Sequence, residues 1–330
     1  MQQPRQRAGD VMSEETIKVV VRRREEQGHG VLVLDLASVE GAPLPPFEAG
    51  AHVDVHLGEG LVRQYSLAGK PGDRSVYRLG ILKDPKSRGG SVAAHERLTE
   101  GTEIRIGVPR NHFPLDMAAP HTVLVGGGIG ITPMIAMAHA LDDAGKSFEL
   151  HYCGRSRASC AFLDELTSGG FGDRVHPHFD DGADEQRLNL DAVLGKAAPG
   201  THVYVCGPSG FMDWVIAEAR RLGLPEAQIH KEYFQVDTDS SGAAFDVVAK
   251  KSGKTVRVEE GRSIVEALAT VGIKVQVSCE QGVCGTCLCN VLDGVPDHRD
   301  VFLTDEEKAD NDQILLCCSR ARTDILVLDI

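Results

Sequence analysis

The sequence predicts a multidomain chain: an antiparallel β-barrel, then a parallel α/β layer, then a small α+β domain built round a cysteine loop. Three observations predict it. Residues 15 to 113 read as short β-branched runs separated by Gly and Pro turns, the grammar of a barrel. From about residue 120, strand patterns alternate with helical ones, which gives a parallel sheet with crossover helices. Near the C-terminus, Cys279, Cys284 and Cys287 crowd into one loop and a fourth, Cys317, follows at a distance. With 330 residues, 42% of them apolar, the chain can fill two or three cores.

Taken in order, residues 1 to 14 read as a disordered extension, with Met12 as an alternative start. They hold no apolar core for a secretory signal, so a cytoplasmic, reducing compartment is expected. The barrel is placed at 15–115, with runs at 17–22, 30–36, 52–57 and 77–82. The α/β domain is placed at 116–234, with strands at 122–125, 148–153, 175–179 and 202–206 and helices at 133–144, 161–166 and 210–222. Residues 122 to 141 imitate a membrane span, but four glycines and Pro133 split them into a strand, a turn and a helix. Small polar residues make 235–243 an exposed linker. The last domain, 244–330, opens with strands at 245–249 and 255–258. Capping boxes at Ser263/Glu266 and Thr304/Glu307 start its helices, and a strand at 325–328 closes it. A net charge of −13 argues against nucleic-acid or anionic-membrane partners and leaves docking to a less acidic protein.

The cysteine spacing, C-x4-C-x2-C with a distant fourth, is that of a plant-type two-iron two-sulfur cluster. Gly282 and Gly285 let the backbone approach the sulfurs closely. A zinc ribbon usually carries two C-x2-C pairs, and only Cys284 and Cys287 form one here. Nine cysteines, an odd number, and no secretory signal disfavour a disulfide framework.

Upstream, Arg63-Gln64-Tyr65-Ser66 sets a cation, an aromatic face and a hydroxyl along one strand, suited to a flavin's phosphate, ring and polar edge; an ordinary strand with one solvated face is the alternative. In Gly89-Gly90-Ser91, two glycines expose amides and Ser91 caps a helix over 92–98, a phosphate site or simply a capped helix. Gly126 to Pro133 lies between a strand and a helix, where glycines admit a pyrophosphate to the helix start, though the strict dinucleotide fingerprint is not met. The next strand ends in Arg155 rather than a ribose-binding acid, which leaves NADPH open. Cys206-Gly207-Pro208 follows a later strand at the ligand-binding edge, and Glu232 with Phe234 reads as a carboxylate and aromatic lid or as a plain strand end.

In this order, and with 109–115 (Pro-Arg-Asn-His-Phe-Pro-Leu) and Cys317-Cys318-Ser319-Arg320-Ala321, the motifs resemble the phthalate dioxygenase reductase and vanillate O-demethylase reductase family over residues 15 to 330. The resemblance implies an FMN-binding barrel, an NADH-binding α/β domain and a β-grasp ferredoxin domain. FMN is then held by Arg63, Tyr65, Ser66, Gly89, Gly90 and Ser91, with Gly80, Leu82 and Phe234 also assigned to cofactor binding. The nicotinamide cofactor takes Gly128, Thr132, Pro133, Arg155, Cys206 and Pro208; Ser66, Cys206 and Glu232 are the catalytic candidates. Cys279, Cys284, Cys287 and Cys317 ligate the cluster. Cys318 is expected to point away by strand alternation, and Cys289 to pack in a strand. FMN reconciles a two-electron donor with a one-electron acceptor, and the cluster loop is expected to face it. The implied partner is a Rieske oxygenase acting on an aromatic compound, met by a monomeric reductase; a diiron or haem oxygenase is the rival. A cluster near about −400 mV feeding a Rieske centre at about −150 mV leaves roughly 6 kcal/mol per electron. Eight carboxylates between Asp293 and Asp312 read as a docking surface or a solvated face.

Overall fold

The computed structural model describes residues 15–330 except Glu59, Lys86, Arg88, Lys196 and 236–238. The expected N-terminal extension, 1–14, and the middle of the expected linker lie outside the described residues. Two compact units are formed, one over 15–234 and one over 235–330.

The first unit begins with β1 (Thr16–Gln27), β2 (Val31–Ser38), β3 (Ala51–His56), β4 (Val62–Ser66), β5 (Tyr77–Leu82), helix α1 (Gly90–Arg97), β6 (Glu103–Gly107) and β7 (Arg110–Asn111). The sheet runs β4-β3-β6-β1-β2-β5, with β7 on β3, and every pairing is antiparallel. An antiparallel bridge from Leu67 to Leu79 joins its two edges, so the ribbon closes as a barrel. Valines and leucines of β2 and β3 fill the inside, all nearly sealed from water.

The same unit continues through β8 (Thr122–Gly127), α2 (Ile131–Asp143), β9 (Phe148–Gly154), α3 (Leu163–Ser168), β10 (Val175–Phe179), α4 (Leu190–Leu194), β11 (His202–Cys206), α5 (Ser209–Arg221) and β12 (Ile229–Glu232). The strands lie parallel in the order β10-β9-β8-β11-β12. This is a doubly wound sheet whose order reverses at β8, so the ends of β8 and β11 flank the crevice where ligands bind in such sheets. The apolar run at 122–141 divides as expected into β8, a glycine turn and α2, and no helix among the described residues is long and apolar enough to cross a membrane. Pro133 falls in the first turn of α2, where its missing amide costs nothing. Pro177 sits in β10, an edge strand, where the ladder tolerates it. The helix expected at 161–166 forms two residues later, as α3.

The second unit holds β13 (Phe245–Ala249), β14 (Lys254–Val258), α6 (Ile264–Thr270), β15 (Leu288–Asp293), β16 (Pro296–Asp297), α7 (Asp305–Asp310), β17 (Gln313–Leu315), β18 (Arg320–Ala321) and β19 (Ile325–Leu328). Its mixed sheet runs β14-β13-β19-β15-β17, with β13 and β19 parallel, as in a β-grasp. Both expected capping boxes are present, Ser263 with Glu266 on α6 and Thr304 with Glu307 on α7. The described end of the linker is exposed but tied down. Arg299 donates to the Asp239 and Ser241 carbonyls, and Arg320 donates to the Ala243 carbonyl at 3.1 Å.

Candidate functional site

On the barrel, β4 carries Arg63, Tyr65 and Ser66, and the Arg63 side chain crosses Gly90 at the start of α1. A Cβ on Gly90 would sit 2.5 Å from Arg63 Cγ and 2.6 Å from its Nε, so any larger residue there would displace the Arg63 side chain. The fold therefore brings the cation to the amide end of α1, whose first turn holds no acidic residue, a charge arrangement made for an anion. Ser91 does not cap this helix as expected. Gly89 is the N-cap, in the left-handed region at φ 88°, and Ser91 lies inside the first turn, where its hydroxyl accepts from the Asp84 amide at 3.1 Å. A positive φ suits glycine and not serine, which displaces the cap by two residues. Tyr65 is partly covered, and burial pushes its phenol above the usual range. Ser66 is buried. Leu82, by contrast, ends β5 exposed. Gly80 meets α2 and the start of α3: a Cβ there would lie 2.9 Å from both the Thr132 methyl and the Phe162 ring.

At the crevice of the parallel sheet, most glycines of the 126–130 turn serve packing, not ligand access. A Cβ on Gly126 would press on Ile131, one on Gly127 on Phe211, and one on Gly130 on the carbonyl of Cys206. Gly128 alone of the four faces open space, at φ 55°. Gly128 is also the one glycine of this run that the sequence assigned to the cofactor. Thr132 and Pro133 are buried at the start of α2, and the Thr132 hydroxyl donates to the Ile129 carbonyl at 3.0 Å. Pro208 and Arg155 are exposed at the ends of β11 and β9. Asp180 and Asp181, which the sequence reading missed, hydrogen-bond through their amides to the Gly154 and Arg155 carbonyls, so two acidic residues stand at the end of β9 after all. Only the pairing of β10 with β9 reveals them.

Cys206 is fully buried at the end of β11 and stands opposite Glu232 of β12 in the parallel register. Glu232 Oε2 is sealed from water and has no hydrogen-bond partner, and desolvation raises the carboxyl to about 8. The same burial, with Glu232 beside it, pushes the Cys206 thiol up. An orphaned buried carboxyl next to a thiol is costly unless a ligand group completes it, which fits a cofactor end docking here. Phe234 packs, partly buried, against the core of this unit. Because its folded value lies above its ordinary one, Glu232 stays protonated at neutral pH. Its contribution to stability is full below about pH 4.5 and is lost as pH rises towards about 8. Infrared difference spectra of wild type against Glu232→Gln should show a protonated carboxyl band at neutral pH that vanishes above about pH 8. A band already absent at pH 6 refutes the assignment.

In the second unit, Cys279, Cys284, Cys287 and Cys317 are all buried, and their thiols meet in pairs: Cys279 with Cys284 and with Cys317, and Cys287 with Cys317. Among the described residues no three such side chains already close on a single ion. The Gln281 amide donates to Cys279 Sγ at 3.4 Å, the backbone-to-sulfur bond that a cluster loop needs. Gly282 and Gly285 both adopt φ 73°. A segment that the motif did not flag secures both: a Cβ on Gly282 would be 3.0 Å from Asp300 Cα, and one on Gly285 would strike the Phe302 ring. Asp300 is buried and accepts from the Leu303 amide at 2.8 Å, so it is not part of an outward acidic face. Cys318 corrects another expectation. It occupies a turn rather than a strand and is buried beside Cys317, 2.5 Å from where a Gly282 Cβ would lie. Strand alternation does not operate in a turn, so adjacent thiols both face inwards. Cys289 packs in β15 against the core. All nine cysteines are free thiols. Four thiols, an amide donor to sulfur and two glycine-wrapped bends fit a two-iron two-sulfur cluster.

The chain is similar to the 2Fe-2S iron-sulfur cluster binding domain over residues 247–322 and to the oxidoreductase NAD-binding domain over residues 124–216. It is 47% identical to a vanillate O-demethylase oxidoreductase of Pseudomonas sp. over 95% of its own length and 100% of that protein's. Against a phthalate dioxygenase reductase of Burkholderia cepacia it is 37% identical, covering 95% of this chain and 97% of the relative. A solved phthalate dioxygenase reductase structure superposes with a TM-score of 0.76 at 37% identity, over 96% of this chain and 98% of that one. An intact self-sufficient cytochrome P450 monooxygenase matches with a TM-score of 0.81 at 39% identity, over 98% of this chain but 43% of the other. The chain thus belongs to the phthalate dioxygenase reductase and vanillate O-demethylase reductase family, and is an NADH-dependent FMN and iron-sulfur reductase component that passes electrons to an oxygenase.

Proposed function

We propose that the acceptor is a Rieske-type oxygenase or demethylase working on an aromatic substrate. The observation that carries this is the end-to-end match with two reductases whose names are those of a vanillate O-demethylase and a phthalate dioxygenase. In this reading the domains divide at 115/116 and at the 235–243 linker. The FMN phosphate is taken by Arg63 and the Gly89-Gly90-Ser91 end of α1, with Tyr65 along the ring and Ser66 donating to its polar edge. FMN held there would supply the conversion from a two-electron donor to a one-electron acceptor. Gly128 admits the dinucleotide, Thr132, Pro133 and Pro208 line it with Arg155 at the rim, and Cys206 with Glu232 shapes the dry end where the nicotinamide docks. Phe234 covers the aromatic ring. Cys279, Cys284, Cys287 and Cys317 hold the cluster, and the protein is a cytoplasmic monomer, as free thiols and the need to expose a cluster suggest.

Reconstituted turnover tests the acceptor. The purified chain and NADH should reduce a Rieske oxygenase in a single anaerobic mixing experiment and support product formation. The P450 match favours a second reading, a haem monooxygenase as partner. An NADH-driven ferrous-CO spectrum from a P450, with no reduction of Rieske oxygenases, would replace the first reading with this one.

The docking face is α7 and its surroundings, where Asp305, Glu306 and Asp310 are exposed and begin just beyond Phe302, which packs on the cluster loop. Replacing these three by amides should lower electron delivery about tenfold at low salt and flatten its salt dependence, with NADH-to-ferricyanide turnover unchanged. Unaltered salt dependence makes the face merely solvated.

A further inference from the structure

We propose that Phe162 is a positioning residue for hydride transfer: resting on the cofactor placement given above, its ring sets the spacing between the flavin on the barrel and the nicotinamide on the parallel sheet. Phe162 stands just before α3 in a left-handed conformation, at φ 62° and ψ −3°, and is only 2% exposed. Two other non-glycine residues among those described, Glu280 and Asn311, share a positive φ, but neither is buried. Such a conformation disfavours a bulky side chain and persists only where the surroundings hold it in place.

The barrel holds it. The side-chain oxygen of Gln27, at the end of β1, accepts from the Phe162 amide at 2.7 Å, and the Phe162 carbonyl accepts from the Leu166 amide at 2.9 Å to open α3. In the turn between β1 and β2, a Cβ on Gly28 would lie 2.8 Å from the Ser159 carbonyl oxygen, so the two backbones touch. Arg78 of β5 donates to Asp35 of β2 at 2.8 Å and to both carboxylate oxygens of Glu165 in α3, at 2.8 and 2.9 Å. Gly80 follows two residues later on the same face of β5, and the Phe162 ring rests there. Phe162 Cε2 and the Thr132 methyl carbon each lie 2.9 Å from the place a Gly80 Cβ would take. One point on a barrel strand assigned to the flavin therefore meets both this ring and the first turn of the helix that lines the dinucleotide. Phe162 takes no part in bond changes and acts through distance alone. Two rings that exchange a hydride need their reacting atoms about 3 to 3.5 Å apart, and a misplacement of about 1 Å costs about 100-fold in rate.

The test is stopped-flow reduction of the full-length holoprotein by NADH, counted per bound FMN. Phe162→Leu and Phe162→Gly should each lower the limiting rate of flavin reduction about 10- to 100-fold, while the Kd for NADH changes by less than about threefold. The isotope effect with NADH deuterated at the transferred position should rise, and the long-wavelength absorption that a stacked nicotinamide and flavin share should weaken. Glycine is at ease at this φ, so agreement between the two variants traces the loss to the ring. FMN content and melting temperature show which variants are folded; if one is not, the other decides. Gly80→Ala would displace the ring and should also slow transfer, yet it should add little to Phe162→Leu, where the ring is gone. Arg63→Ala, read by FMN affinity alone, tests the flavin placement: unchanged affinity overturns that placement and the proposal with it. If Arg63→Ala weakens FMN binding but the Phe162 variants reduce bound flavin at the wild-type rate, or slow it only through weaker NADH binding, the placement stands and the proposal falls, with Phe162 a packing residue.

Discussion

Cys317→Ser should abolish the visible absorption of the iron-sulfur cluster and reduce cytochrome c reduction to background, while NADH still reduces the flavin and ferricyanide. Cys318→Ser should keep the cluster. Both thiols are buried in one turn, so burial does not choose between them. Contacts do: Cys317 meets two of the other three ligands, Cys279 and Cys287, whereas Cys318 pairs only with Cys317 itself and lies against Gly282 and 3.8 Å from the Ser319 hydroxyl. Removing the Cys318 sulfur costs packing worth about 1 kcal/mol, too little to empty the site. A cluster lost in Cys318→Ser and kept in Cys317→Ser would exchange the two roles. Paramagnetic resonance of the dithionite-reduced proteins reads the outcome without reliance on the oxygenase.

Gly130→Ala should be the most damaging single-atom change in the nucleotide-binding sheet. The new Cβ would overlap the Cys206 carbonyl and lie 2.6 Å from the Gly207 amide nitrogen, both of them backbone atoms that cannot rotate away. Overpacking of this kind costs about 3 kcal/mol, near the upper end of its usual range. It also pushes Cys206 and its neighbour Glu232 out of register, so NADH oxidation should fall by at least tenfold even in the protein that folds. Gly128→Ala provides the contrast. Nothing lies within 4 Å of its Cβ, and the positive φ costs only about 1 kcal/mol. If Gly128 is where the dinucleotide passes, this variant raises KM for NADH several-fold with little change in melting temperature. Equal stability losses in the two variants would mean that Gly128 is another packing glycine.

Much of the molecule was legible in the sequence because the relevant physics is local. The spacing of Cys279, Cys284 and Cys287, the two capping boxes, Pro133 at a helix start and the change from strand runs to strand-helix alternation all act within a few residues. Each was found where the sequence placed it. The departures arise where one segment meets another. Ser91 lost its capping role to a glycine whose φ is set by the path into α1. Three glycines, Gly126 and Gly127 at the end of β8 and Gly130 beyond it, are pressed by Ile131, Phe211 and Cys206.

What the sequence alone determined is the set of chemical parts and their order: thiolates, glycine turns, a cation with an aromatic, and a net acidic chain. What only the tertiary structure decided is which parts touch. It laid Arg63 over Gly90, set Glu232 beside Cys206 without a partner, and wrapped Asp300 and Phe302 round the cluster loop. The reason is physical. Spacing along a chain constrains neighbours within a turn or a strand, whereas sheet order and register bring together residues that the sequence holds far apart.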